Sequence, residues 1–170
     1  MAKRIAPVGR GWRWTWDELG VELHVSNAAA TAMKRHRQPF GGVERGGLLF
    51  VEPSHPVGLM LARVTPPHAA DRAGEHSLIM DPARCARETR KANAEGLRLI
   101  GFWHSHPEET PNLSTIDISN FRSLARRSVM DLPWPVAIIV GRDSGEEGIR
   151  AWSIRPDSIY RAVRSAPIDT

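Results

Sequence analysis

The stretch Gly101-Phe-Trp-His-Ser-His-Pro-Glu-Glu-Thr-Pro-Asn-Leu-Ser-Thr-Ile-Asp117 organises the reading of the chain. An apolar run, residues 97–103, leads into it, and an amphipathic segment, residues 115–130, leads out. The pattern predicts a strand, a His-Ser-His-Pro bend, a loop and a helix that buries Ile118, Phe121, Leu124 and Ala125. Side chains alternate along extended backbone, so His104 and His106 point the same way and can approach one ion. Asp117, in the first turn of the next helix, can supply a third ligand. Three protein ligands leave a fourth tetrahedral position open, as in catalytic rather than structural zinc sites. Nitrogen and oxygen donors without thiolate suit zinc, and other divalent ions also fit.

A nucleophilic water at such an ion needs a base that takes its proton and later delivers it to the leaving group. Glu44 is the candidate. It precedes Gly46-Gly47, where missing side chains leave room for a substrate backbone. The Ser114 hydroxyl can donate to the oxyanion of a tetrahedral intermediate. Each residue has a plainer reading: Ser114-x-x-Asp117 is also a capping box, and a single His or Glu is usually a packed or surface residue. Those readings do not account for all the elements in one chain, and a cap and a ligand can coexist.

Outward from this stretch, strands and helices alternate. Residues 21–25 read as a strand, and Ser26-Asn27 caps a helix over 28–38 that Pro39 and Gly41-Gly42 end. Residues 43–52 and 57–65 read as a hairpin turning through 53–56. Residues 66–77 are polar and irregular and read as a mobile loop. Asp81-Pro82 opens a helix over 82–95, closed by Gly96. Residues 135–141 form an apolar, β-branched strand of the kind found in mid-sheet. An edge strand over 149–154 follows, then a short helix over 156–164. The expected fold class is α/β: one domain, a mixed sheet flanked by helices. The five histidines His24, His36, His55, His68 and His76 lack ligand spacing and read as surface residues.

Residues 1–20 carry Trp12, Trp14 and Trp16 and read as a separate N-terminal arm or edge strand, with residues 21–170 as the main domain. Trp beside Arg could stack nucleic-acid bases, but no Lys/Arg-rich groove surrounds the run. The net charge of +4 is scattered among acids, which argues against a nucleic-acid partner. A chain of 170 residues with 41% hydrophobic residues can bury a core without disulfides, and Cys85 is its one cysteine. No apolar run approaches a membrane span, and the chain reads as cytoplasmic.

Glu44, His104-Ser105-His106-Pro107, the seven residues Pro107 through Leu113 and Ser114-x-x-Asp117 together resemble the JAMM motif of JAB/MPN metalloproteases. The resemblance spans roughly residues 21–154. It implies a fold related to the cytidine deaminases and one Zn2+ held by His104, His106 and Asp117. It also implies a base at Glu44, an oxyanion helper at Ser114, and hydrolysis after the C-terminus of ubiquitin or a ubiquitin-like protein. The compact chain, with Glu108 and Pro111 in the loop, resembles the small bacterial branch that includes the deconjugating isopeptidase of CBASS anti-phage systems. There the substrate is a conjugated nucleotidyltransferase tail. Other bacterial members process sulfur-carrier proteins, and a non-catalytic binding scaffold is a further reading. A zinc deaminase would carry His-x-Glu with Pro-Cys-x-x-Cys, which this chain lacks. Cys85, mid-helix and without a neighbouring His in sequence, is a poor protease nucleophile. The expected substrate tail lies extended along a strand edge, with Trp103 and residues 66–77 as walls of its groove.

Overall fold

The computed structural model describes residues 10–127 and 134–167. The expected end of the last helix at Met130 and the side chains of Leu124 and Ala125 lie outside what is described. Eleven strands and three helices follow in order: β1 Arg10–Trp16, β2 Val21–Ser26, α1 Asn27–Arg35, β3 Gly46–Glu52, β4 Met60–Val64, β5 Arg72–Gly74, β6 Ser77–Ile79, α2 Pro82–Ala94, β7 Arg98–Ser105, α3 Thr115–Arg127, β8 Val136–Val140, β9 Ile149–Ile154, β10 Ile159–Arg161 and β11 Val163–Ser165.

Nine strands form one mixed sheet in the order β10-β9-β8-β7-β3-β4-β2-β1-β11, and β5 and β6 form a separate hairpin. The mixed α/β class is as expected. The helix starts also follow the local signals: Ser26 accepts the Ala29 amide at the start of α1, and Asp81 accepts the Arg84 amide ahead of Pro82 in α2. Gly96, with φ of 84°, takes the left-handed turn after α2 that a side chain would strain.

Five expectations for the chain outside the site are corrected. Residues 156–164 form no helix. β10 pairs with β9, β11 pairs with β1, and only Ala162 separates them. Residues 159–165 are therefore one extended segment shared by the two ends of the sheet, which curls until it meets itself. Two open ladders offering backbone partners outweigh the weak helical preference of so short a stretch. For the same reason β9 is no edge strand. The Trp run is no edge strand either, since β1 lies between β2 and β11. Trp12, Trp14 and Trp16 point to one side, are at most 3% exposed, and join the main core with Leu49, Trp103 and Val140. Each such ring buries about 150–250 Å², worth roughly 4–6 kcal/mol of gross transfer free energy. Finally, residues 66–77 are not all irregular, because they run into the β5–β6 hairpin. His24 is also buried, at 3% exposure, rather than a surface residue.

Strand alternation sorts the sheet into two faces. Leu49, Val51, Trp103, Ile138 and Val140 face the Trp-rich core with α1. Leu48 and Phe50 face Ala92 of α2, while Ala137 and Ile139 pack with Phe121 of α3. Phe102 lies on this second face, touching both clusters. By the period of two, His104 follows Phe102 toward α3.

Candidate metal centre

β7 carries His104 to the last turn of the sheet, and the chain continues through His106 before bending at Pro107. The His106 amide still donates to Val140 O at 2.9 Å, which keeps the backbone extended one step past β7. Both imidazoles therefore share a side, with Nε2 atoms 3.0 Å apart. Asp117, in the first turn of α3, reaches them from above: Oδ1 is 3.0 Å from His104 Nε2 and Oδ2 is 3.3 Å from His106 Nε2. Tetrahedral zinc with bonds of about 2.0–2.1 Å places its ligand atoms about 3.3 Å apart. The three side chains already stand at that spacing and fit a zinc ion by geometry and donor type. His106 Nδ1 lies 3.1 Å from Glu108 Oε2, a close approach that favours the tautomer with Nε2 free for a metal.

Burial pushes the Asp117 carboxyl upward, but hydrogen bonds from His104 and His106 outweigh it and hold Asp117 well below the usual carboxylate range. Burial pushes His106 downward, and hydrogen bonding and charge from Asp117 more than reverse this and raise it. The cluster is a carboxylate facing two imidazole nitrogens, a donor set that a cation could bridge.

Ser114 and Asp117 form the reciprocal cap expected of their spacing. The Ser114 amide donates to Asp117 Oδ2 at 2.8 Å, and the Asp117 amide donates to Ser114 Oγ at 3.0 Å. Because Ser114 Oγ accepts here, its own proton remains available to another acceptor. Ser114 is exposed and lines the cleft.

Glu44 arrives from the other strand. The Ser105 amide donates to Arg45 O at 2.7 Å, continuing the β3–β7 ladder beyond Gly46, so Glu44 comes to the level of His106. Glu44 is 7% exposed. Burial pushes its carboxyl up to about 7; Asp117 and Glu108 add to the rise and His106 opposes it. A nearby cation would pull it back down.

All five residues line one cleft of about 480 Å³, with Leu78, Ile79 and Met80 of the hairpin side and Ile116 and Phe121 of α3. Trp103 does not form a wall with its ring. Its indole is fully buried on the opposite face and donates to Thr65 O at 2.9 Å. Phe102 faces the cleft side instead.

Two residues that sequence reasoning passed over hold the Glu44 segment. Ser105 Oγ accepts from the Arg45 amide at 2.9 Å and donates to Gln38 Oε1 at 3.2 Å. Gln38 Nε2 in turn donates to Gly42 O and Glu75 O, both at 2.9 Å. The signal was present for Ser105, whose place between the histidines turns it to the buried face. For Gln38, in the loop that follows α1, there was none.

The sheet thus brings a His-x-His strand end, an Asp at a helix start and a buried Glu to one cleft. The chain matches the family described as "Prokaryotic homologs of the JAB domain" over residues 26–155, and it belongs to that family. It is 30% identical over 137 residues to the "CD-NTase/cGAS isopeptidase" of Pseudomonas aeruginosa (strain BWHPSA011 / Pa011), covering 77% of this chain and 84% of that protein. The fold is also that of protein DSY2949 from Desulfitobacterium hafniense. That solution structure superposes with a TM-score of 0.60 at 21% identity, covering 81% of this chain and 87% of that one. No helix among the described residues is long and apolar enough to cross a membrane.

Proposed function

We propose that the chain is a zinc-dependent isopeptidase that releases a ubiquitin-like protein, or a nucleotidyltransferase tail, from a covalent conjugate in the cytoplasm. The observation that carries this reading is the convergence of His104, His106 and Asp117 at ligand spacing beside a buried Glu44. The similarity to a CD-NTase/cGAS isopeptidase favours a nucleotidyltransferase-linked substrate and a role in anti-phage defence.

His104, His106 and Asp117 would hold the ion, whose chemistry when bound is Lewis acidity that brings the pKa of water down to about 7. Glu44 takes a proton from the attacking water on its carboxylate and returns it to the departing lysine amine. Its burial favours the neutral acid and a bound cation would favour the carboxylate, so the two act against each other on that proton. Ser114, with its Oγ proton uncommitted, donates to the scissile carbonyl oxygen as charge develops there. The apolar residues of the cleft exclude water around the tail. β6 pairs with β5 alone among the described residues, and its other edge suits an extended peptide.

The test is cleavage of a tail-fusion substrate alongside metal analysis. Glu44→Ala should retain zinc and lose turnover by about a hundredfold or more, while His104→Ala should lose both. Normal turnover in Glu44→Ala would refute the base assignment.

A further inference from the structure

Arg84 is 1% exposed, although it sits in the first turn of an otherwise polar surface helix. A buried guanidinium is expensive unless every donor is matched. Here they are matched, and the partners come from four segments. Nε and Nη2 form a fork on Asp71, at 3.1 Å to Oδ1 and 2.7 Å to Oδ2. Nη1 donates to Glu88 Oε2 at 2.8 Å and Thr65 Oγ1 at 3.4 Å. Nη2 also donates to Gly46 O at 3.0 Å.

The partners have a common geography. Asp71 immediately precedes the β5–β6 hairpin, whose far side lines the cleft through residues 76–80. Asp71 Oδ1 also accepts the amide of Asp81, just beyond the hairpin's other end, at 2.8 Å. One carboxylate thus ties the two feet of the hairpin together, and Arg84 holds that carboxylate. The same guanidinium grips Gly46, two residues from Glu44. The hairpin closes the circuit, since the Glu44 amide donates to Gly74 O at 2.8 Å. Leu78 Cδ2 comes within 2.3 Å of where a Cβ on Gly46 would lie, so hairpin and strand are in close contact at the cleft.

We propose that Arg84 is a positioning residue that clamps the β5–β6 hairpin onto the start of β3, fixing the cleft wall and the Glu44 backbone together. It touches no reacting atom; it acts through Asp71 and Gly46. The catalytic consequence rests on the isopeptidase reading, whereas the clamp itself does not.

Three variants separate the possibilities: Arg84→Met keeps the bulk without the donors, Arg84→Lys keeps the charge without the fork, and Asp71→Asn keeps the shape without the charge. Hydrogen exchange read by mass spectrometry should rise roughly tenfold or more in residues 71–81 of Arg84→Met, because the charge-assisted fork that holds Asp71, the carboxylate tying the two feet, is lost. Exchange in β7, β8 and β9 and zinc content after reconstitution should stay as in the wild type. On a tail-fusion substrate, KM should rise more than kcat falls, because the loosened wall is the part that meets the tail. Arg84→Lys should recover part of both. If Arg84→Met does not fold, Asp71→Asn carries the same comparison. Unchanged exchange in 71–81, or a rise spread evenly over the sheet, would overturn the clamp. A wild type without turnover, combined with the localised exchange change, would sink the isopeptidase reading and leave the clamp standing.

Discussion

Gly46 stands directly opposite His104 in the antiparallel ladder of β3 and β7. Two steps back along one strand and two steps forward along the other bring Glu44 beside His106. A candidate base and candidate metal ligands some sixty residues apart in sequence are thus aligned by strand register alone. A slip of one residue would turn His104 and His106 to the Trp-rich face and leave the site without ligands.

If the three ligands hold zinc, the folded state should gain stability from it. At a hundredfold excess over Kd the gain is about 2.7 kcal/mol, or about 5–10 °C in Tm for a domain of this size. Differential scanning fluorimetry with and without zinc should show the shift in the wild type. Asp117→Asn should lose most of it; an equal shift there would remove Asp117 from the ligand set.

The cap that Ser114 makes and the oxyanion role proposed for it can be measured apart. As a helix cap, its loss in Ser114→Ala should lower stability by about 0.5–2 kcal/mol. As an oxyanion donor, its loss should lower kcat by about a hundredfold or more. Ser114→Asp, an equally good cap that brings no hydroxyl, should restore stability in urea titrations but not turnover. Full turnover in that variant would leave Ser114 with the cap alone.

The Asp71–Arg84 pair should make the fold sensitive to acid. Burial pushes the Asp71 carboxyl up, but hydrogen bonds from Arg84 and the Asp81 amide more than offset this and hold it below its ordinary value. A carboxyl whose folded pKa is depressed gives stability that is fully present above its unfolded pKa of about 3.9. That stability is lost as pH falls through the lower folded value. Urea midpoints between pH 5 and pH 2 should therefore fall more steeply for the wild type than for Asp71→Asn. Parallel curves would show that Asp71 carries no folding linkage.

Much of this could be read from the chain because local signals and global fold agree. The His-Ser-His-Pro strand end, the Ser-x-x-Asp cap and the Asp81-Pro82 helix start each carry their own chemistry, and the structure places them as that chemistry directs. What was illegible depends on partners far away in sequence. Residues 159–165 are extended only because two ladders wait for them. The Trp run lies inside the sheet only because β11 returns to cover it. Nothing local marks Arg84 as buried, although Ala92, eight residues on and fully buried, lies on the same inward side of α2.

The shared strand also sets an order of events for the chain. β1, near the start, finds its second neighbour only in β11, and Trp16 Nε1 donates to Tyr160 O at 3.0 Å across that seam. On the ribosome, the indoles of β1 must wait for nearly the whole protein to emerge before their core is sealed. The central strands β3, β7 and β8, which frame the cleft, can pair earlier, so the candidate site can take shape while the far side of the sheet is still open. A nascent chain halted before residue 159 would then carry the candidate ligands but leave one backbone edge of β1 without its partner strand, the kind of surface that chaperones hold.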